Sequence, residues 1–117
     1  MNERIRKELD AMVEVLVETG IVTKIILFGS QACGEETPDS DIDLCVLTTV
    51  RDRHPIDVGV DLRIKLYEIQ ETPLDLLAYN QDEFFFHAER PTSFENHIVR
   101  EGMTLYEHRR ELTSYIF

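Results

Sequence analysis

The stretch LFGSQACGEETPDSDIDLCVL, residues 27–47, combines two features that a purely structural strand would not place together. Gly29 and Ser30 directly follow an apolar run, and Asp41 and Asp43 stand one residue apart within the next one. Residues i and i+2 of a strand leave the same face about 6 to 7 Å apart, so both carboxylates can point at one place. Buried without a partner, two like charges would each cost several kcal/mol. The stretch therefore predicts a pair of carboxylates that bind a cation.

Length and composition predict one domain. The chain has 117 residues and 43% hydrophobic residues, enough for a single core. We expect a single globular domain over residues 1–117, with a flexible or partner-binding tail at 108–117. The sequence leaves the oligomeric state open, including a homo-oligomer.

Charge and hydropathy exclude several classes of protein. No apolar run approaches the roughly 18 to 20 residues of a membrane span, and the N-terminus MNERIRKELD is charged where a signal peptide is apolar. We therefore expect a cytoplasmic protein with no membrane partner. The net charge of −11 disfavours direct binding to a long nucleic acid, because such binding depends on Lys and Arg neutralising phosphates.

The hydrophobic periodicity predicts a small mixed β-sheet flanked by helices, of the α/β (α+β) class. Predicted helices cover residues 2–18, 82–88 and 93–101, predicted strands cover Val22–Phe28, 41–48, 72–79 and 103–106, and a loop covers 34–40. Residues 51–70 fit both a period of two and a helical stripe. We predict a helix there, because a parallel or mixed sheet needs a crossover at this point.

The two aspartates suit Mg²⁺, which prefers oxygen ligands and usually takes one or two carboxylates together with phosphates and water. Asp75, on the next predicted strand, would supply a third carboxylate. Gly29 lets a backbone approach closely, and Ser30 offers a hydroxyl and an N–H to phosphates. These residues predict a site that binds two metal ions and the tail of a nucleoside triphosphate.

A resemblance makes this hypothesis specific. Gly29-Ser30, ten residues and Asp41-Ile42-Asp43 resemble the signature of the DNA polymerase β-like nucleotidyltransferase superfamily. The flanks LFGS and DSDIDLCVL look like its minimal, MNT-type members, which often form toxin–antitoxin pairs with HEPN-domain proteins. The resemblance covers most of the chain, from the first helix through IVREGMTLYE.

The resemblance implies roles for the same residues. Asp41, Asp43 and Asp75 would be the catalytic residues and the ligands of two Mg²⁺ ions, and Gly29 and Ser30 would bind the nucleotide. The implied enzyme is a pyrophosphate-releasing nucleotidyltransferase that moves a nucleoside monophosphate, AMP from ATP, onto a hydroxyl. Its implied partner is a HEPN-type toxin, which it would modify as an antitoxin.

One stretch departs from the family pattern. Many members carry an arginine where this chain has SQACG, with Gln31 and Cys33. An alternative hypothesis is therefore a non-catalytic antitoxin or binding module that keeps a vestigial metal and nucleotide site. A third, a subunit acting on a small molecule such as an aminoglycoside, is disfavoured because we see no acceptor-binding domain in the sequence.

Overall fold

A computed structural model describes residues 2–34 and 40–108. The elements in chain order are α1 (Glu3–Glu18), β1 (Val22–Phe28), α2 (Ser30–Cys33), β2 (Ile42–Thr48), α3 (Pro55–Leu66), β3 (Leu74–Asn80), α4 (Gln81–Ala88), α5 (Phe94–Glu101) and β4 (Met103–Glu107). Most of the predicted loop and tail, residues 35–39 and 109–117, lies outside the described residues. His108 continues the pairing of β4 with β1, since its N–H donates to the Thr23 carbonyl at 2.8 Å.

The strands form one mixed sheet in the order β3-β2-β1-β4. β1 is antiparallel to both β2 and β4, whereas β2 and β3 are parallel. Parallel neighbours need a crossover, and α3 provides it. The predicted class, a small mixed sheet with flanking helices, is confirmed. No helix within the described ranges has the length and apolar character to cross a membrane.

The ambiguous segment 51–70 is a helix, shorter at both ends than predicted. Pro55 occupies its first turn, and His54 caps it by accepting the Ile56 N–H on Nδ1 at 3.1 Å. The period of two arises because this helix carries apolar residues on opposite faces. Its buried side chains follow helical spacing: Val58, Leu62 and Leu66. Its outer face exposes Ile56, Val60, Ile64 and Tyr67.

Helices cover the two faces of the sheet with separate hydrophobic clusters. α1 and α3 pack on one face, and α4 and α5 contribute Phe84 and Ile98 to the other. Cys45 and Leu47 of β2 belong to the second cluster. Because side chains alternate along a strand, Asp43 leaves the sheet on the same face as these two residues. The α4 and α5 side of the sheet is therefore the side of the predicted site.

Candidate active site

The three predicted carboxylates gather at one end of the sheet. β2 and β3 are parallel with Asp43 and Asp75 as register partners, so their side chains leave the same face on adjacent strands. Asp41 lies just before β2, two residues from Asp43. Asp41 and Asp75 are exposed and Asp43 is partly buried. Tertiary structure thus brings Asp75 to the pair that the sequence had placed together.

The pKa of Asp43 also reflects the proximity of the three carboxylates. The pKa of Asp43 is raised from its usual value, first by partial burial and then by the negative charges of Asp75 and Asp41. Each of these effects disfavours the ionised carboxylate. The cluster therefore holds negative charge that a bound cation would stabilise.

Gly29 lies directly against the Asp43 carboxylate. β1 runs antiparallel to β2, so the carboxyl end of β1 meets the amino end of β2, and Phe28 is the register partner of Asp43. A Cβ added at residue 29 would overlap Asp43 Oδ2. Gly29 also has φ 74° and ψ −158°, a conformation that is essentially restricted to glycine. Ser30 begins α2 next to this contact, so both predicted nucleotide-binding residues adjoin the carboxylates.

The two residues that depart from the family pattern occupy different environments. Gln31 is buried, and its Nε2 donates to the Ser40 carbonyl at 3.3 Å. Its Oε1 has no hydrogen-bond partner among the described residues. Gln31 therefore links α2 to the residue before Asp41, and its side chain does not lie on the exposed face of the site. Cys33, in contrast, is exposed.

A buried carboxylate on α1 binds the segment that leads into β3. Glu8 accepts the N–H groups of Glu71 and Thr72 at 2.6 and 2.8 Å, and the Thr72 hydroxyl at 2.7 Å. The Ile42 N–H then donates to the Pro73 carbonyl at 2.9 Å, where β2 and β3 begin to pair. These contacts lie just before the Asp43 and Asp75 pair. Sequence reasoning missed Glu8, because a Glu on a charged helix ordinarily faces solvent.

Two aromatic residues beside the site were also missed. The Phe28 ring contacts the Phe94 ring edge to face, with centroids 6.0 Å apart and an interplanar angle of 83°. Phe94 is the first residue of α5 and half exposed. Residues 28 and 94 are far apart in sequence, so periodicity could not indicate this contact.

The donor chemistry of the cluster fits a hard divalent cation. Three carboxylates at adjoining strand ends match the ligands Mg²⁺ prefers, and Gly29 leaves room beside Asp43 that a side chain would fill. As the side chains stand, no three Asp, Glu, His or Cys residues in the described part of the chain are arranged to hold a metal ion. The exposed carboxylates of Asp41 and Asp75 can reorient about their side-chain torsions towards a common point.

A mixed sheet with a glycine–serine turn facing strand-borne aspartates defines the nucleotidyltransferase class of enzymes. The sequence pattern of the family "Polymerase beta, Nucleotidyltransferase" matches residues 11–111, most of the chain. The chain belongs to this family and is a nucleotidyltransferase.

Comparisons with known proteins agree. The chain is 33% identical over 87 residues to a Methanocaldococcus jannaschii protein named "Putative protein adenylyltransferase". The aligned region covers 74% of this chain and 81% of that protein. A toxin–antitoxin structure with AMP-PNP has a TM-score of 0.58 at 20% identity, covering 92% of this chain and 77% of the other. The MNT antitoxin complex with the tri-AMPylated Shewanella oneidensis HEPN toxin has a TM-score of 0.53 at 18% identity, and the match covers 95% of this chain and 77% of the other. At these identities the two structures establish the shared fold.

Proposed function

We propose that this protein is a Mg²⁺-dependent adenylyltransferase that transfers AMP from ATP to a hydroxyl of a HEPN-type toxin, and so acts as its antitoxin. The observation that carries the proposal is the register pairing of Asp43 with Asp75, with Asp41 beside it and Gly29 against it. This arrangement has the donor set for cations and an open approach for phosphates.

In the proposed reaction, the acceptor oxygen forms a bond to the α-phosphorus of ATP and pyrophosphate leaves. Asp41, Asp43 and Asp75 would hold the cations that neutralise the phosphates of the bound nucleotide. Bound Mg²⁺ would stabilise the negative charge that develops on the attacking and leaving oxygens. Asp75 accepts the proton of the acceptor hydroxyl, because it is exposed and belongs to the same cluster.

On the phosphate side, Gly29 keeps the space beside Asp43 free, and Ser30 donates its hydroxyl or N–H to the triphosphate. Gly29 and Asp43 therefore act together, because the absence of a side chain at Gly29 leaves space for a ligand and the Asp43 carboxylate supplies negative charge for a cation. AMP as the transferred group is supported by the name of the archaeal relative and by the AMP-PNP in the similar structure.

The choice of a HEPN partner rests on the similar complex, in which an AMPylated HEPN toxin is bound to an MNT antitoxin. Charge agrees with a protein acceptor that carries basic residues, because a chain of net charge −11 attracts a cationic surface.

The test is a transfer assay with purified protein, Mg²⁺, α-labelled ATP and a purified HEPN-type protein, taken from the adjacent reading frame where that frame encodes one. We expect label on the HEPN protein, none with Asp43→Asn, and none when EDTA replaces Mg²⁺. Label that persists in the Asp43→Asn variant would contradict the assignment of the site. A tight complex with no transfer from any of the four nucleotides would instead support the non-catalytic hypothesis.

A further inference from the structure

We propose that Phe94 is the surface on which the base of the bound nucleotide stacks. This inference rests on the proposed function and adds to it a second part of the nucleotide site, one that contacts the base and not the phosphates.

Phe94 lies close to the predicted carboxylate site. Phe28 and Asp43 are register partners in antiparallel strands, so their side chains leave the same face with Cβ atoms about 5 Å apart. The Phe94 ring then meets the Phe28 ring at a centroid distance of 6.0 Å. Phe94 therefore adjoins the aromatic side chain that lies next to Asp43, on the face of the sheet from which the Asp43 carboxylate projects. In a nucleotide the ribose separates the base from the phosphates, so phosphates at the carboxylates and a base at Phe94 follow the same order.

The Phe94 side chain is accessible to a ligand. Phe94 remains 50% exposed, although the neighbouring α4 and α5 cluster buries Phe84 completely. Its ring has one edge-to-face aromatic contact, with Phe28, which leaves ring surface open to solvent. A flat ligand that covers this surface would remove apolar area from water, which is favourable.

Hydrogen bonds hold the chain around Phe94 in place, as a stacking surface requires. Ser93 caps α5 by accepting the Asn96 N–H on its hydroxyl at 2.9 Å, and Asn96 Nδ2 donates to the Ala88 carbonyl at 2.8 Å. The Tyr79 hydroxyl donates to Glu95 Oε2 at 3.1 Å, which ties the same turn to β3. The residues on both sides of Phe94 are therefore anchored, whereas its ring is left open.

The chemistry of the ring defines what it can recognise. A phenyl group has no hydrogen-bonding atoms, so it cannot read the edge of a base, but every nucleobase offers a π-face for stacking. Phe94 should therefore add affinity for a nucleotide over a base-free phosphate chain without selecting among the four bases.

Calorimetric binding of two probes, Mg·ATP and Mg·tripolyphosphate, tests this directly. Tripolyphosphate carries the phosphate chain but no base. We expect Phe94→Ala to weaken Mg·ATP binding by about 5- to 150-fold and to leave Mg·tripolyphosphate binding within about 2-fold. Phe94→Tyr should restore ATP affinity to within about 3-fold of the wild type. Phe86→Ala, which removes a 65% exposed ring on α4, is the matched control and should change neither affinity.

Each other outcome overturns the inference. Equal weakening of both probes would assign Phe94 to the phosphate site or to general folding. Unchanged ATP binding with a raised KM for the acceptor protein would assign it to the acceptor. Failure of the wild type to bind either probe would overturn the proposed metal and nucleotide site itself. Weaker binding of Mg·ATP by Phe94→Ala, with unchanged binding of Mg·tripolyphosphate, would show that the phosphate site is intact and would support the contact between Phe94 and the base.

Discussion

Asp43 of β2 and Asp75 of β3 are register partners in the parallel pair at one end of the sheet. Two carboxylates side by side repel each other, and Asp41 adds a third charge that raises the pKa of Asp43 further. A structural sheet would place apolar or opposite-charge partners in these positions. The arrangement becomes favourable when cations bind, so changes to these carboxylates should alter the free energy of unfolding as well as the activity.

Asp43→Asn should remove activity yet stabilise the metal-free protein. The raised pKa means that ionised Asp43 is less stable in the folded than in the unfolded chain, so at neutral pH its charge destabilises the fold. We expect the melting temperature in EDTA to rise by about 2–4 °C in the variant. Mg²⁺ with ATP should then raise the melting temperature of the wild type and have little effect on Asp43→Asn. A lower melting temperature for Asp43→Asn in EDTA would contradict the repulsion.

Gly29→Ala should cost more stability than the same change at Gly20. Both glycines have positive φ, 74° and 78°, but a Cβ at Gly29 overlaps Asp43 whereas one at Gly20 meets nothing within 4 Å. Backbone strain costs roughly 1–3 kcal/mol at either site, and the overlap adds to it at Gly29 alone. Urea unfolding measures the difference, and the transfer assay should show activity lost only in Gly29→Ala. Equal losses of stability would mean that the Asp43 contact is unimportant.

Glu8→Gln should destabilise the fold in a pH-dependent way. Burial raises the pKa of Glu8, but the Thr72 hydroxyl, the N–H groups of Thr72 and Glu71, and the charge of Arg4 outweigh it, so the net pKa is lowered from 4.5. A carboxyl group whose pKa is lower in the folded than in the unfolded chain stabilises the fold at pH values above the unfolded pKa. This stabilisation is lost as the pH falls through the folded-state pKa. We expect the variant to lose about 2–3 kcal/mol at pH 7 and progressively less below about pH 4.5.

The exposed Glu14 on the same helix provides the control for that measurement. Glu14→Gln should change the free energy of unfolding by less than about 0.5 kcal/mol at either pH. If Glu8→Gln and Glu14→Gln change the free energy of unfolding by the same amount, the hydrogen bonds from Glu71 and Thr72 to Glu8 do not stabilise the segment that leads into β3.

Arginine introduced at position 31 should destabilise the fold far more than arginine introduced at position 33. Gln31 is buried, so Gln31→Arg would bury an unpaired charge at a cost of roughly 3 kcal/mol or more. Cys33 is exposed, so Cys33→Arg should stay within about 0.5 kcal/mol of the wild type. Chemical unfolding compares the two variants, and Mg·ATP binding shows whether a charge here meets phosphate. A well-folded Gln31→Arg with tighter ATP binding would place residue 31 on the phosphate side.

Some of the site could be read from local sequence. Asp41 and Asp43 were predictable as a pair because the period of a strand fixes which side chains share a face. Gly29 and Ser30 were predictable as a turn because an apolar strand ended there. The helical nature of α3 was harder to predict, since apolar residues on its exposed face, such as Ile56, Val60 and Ile64, produced a false period of two.

The sequence by itself determined the residue types of the site, the class of the fold and the family to which the chain belongs, because these follow from short-range spacing. Only the tertiary structure decided that Asp75 is the register partner of Asp43, that Glu8 holds the approach to β3, and that Phe94 lies beside Phe28. Each of these joins residues more than 30 positions apart. Such contacts depend on how strands pair and helices pack, which the local pattern of side chains does not encode.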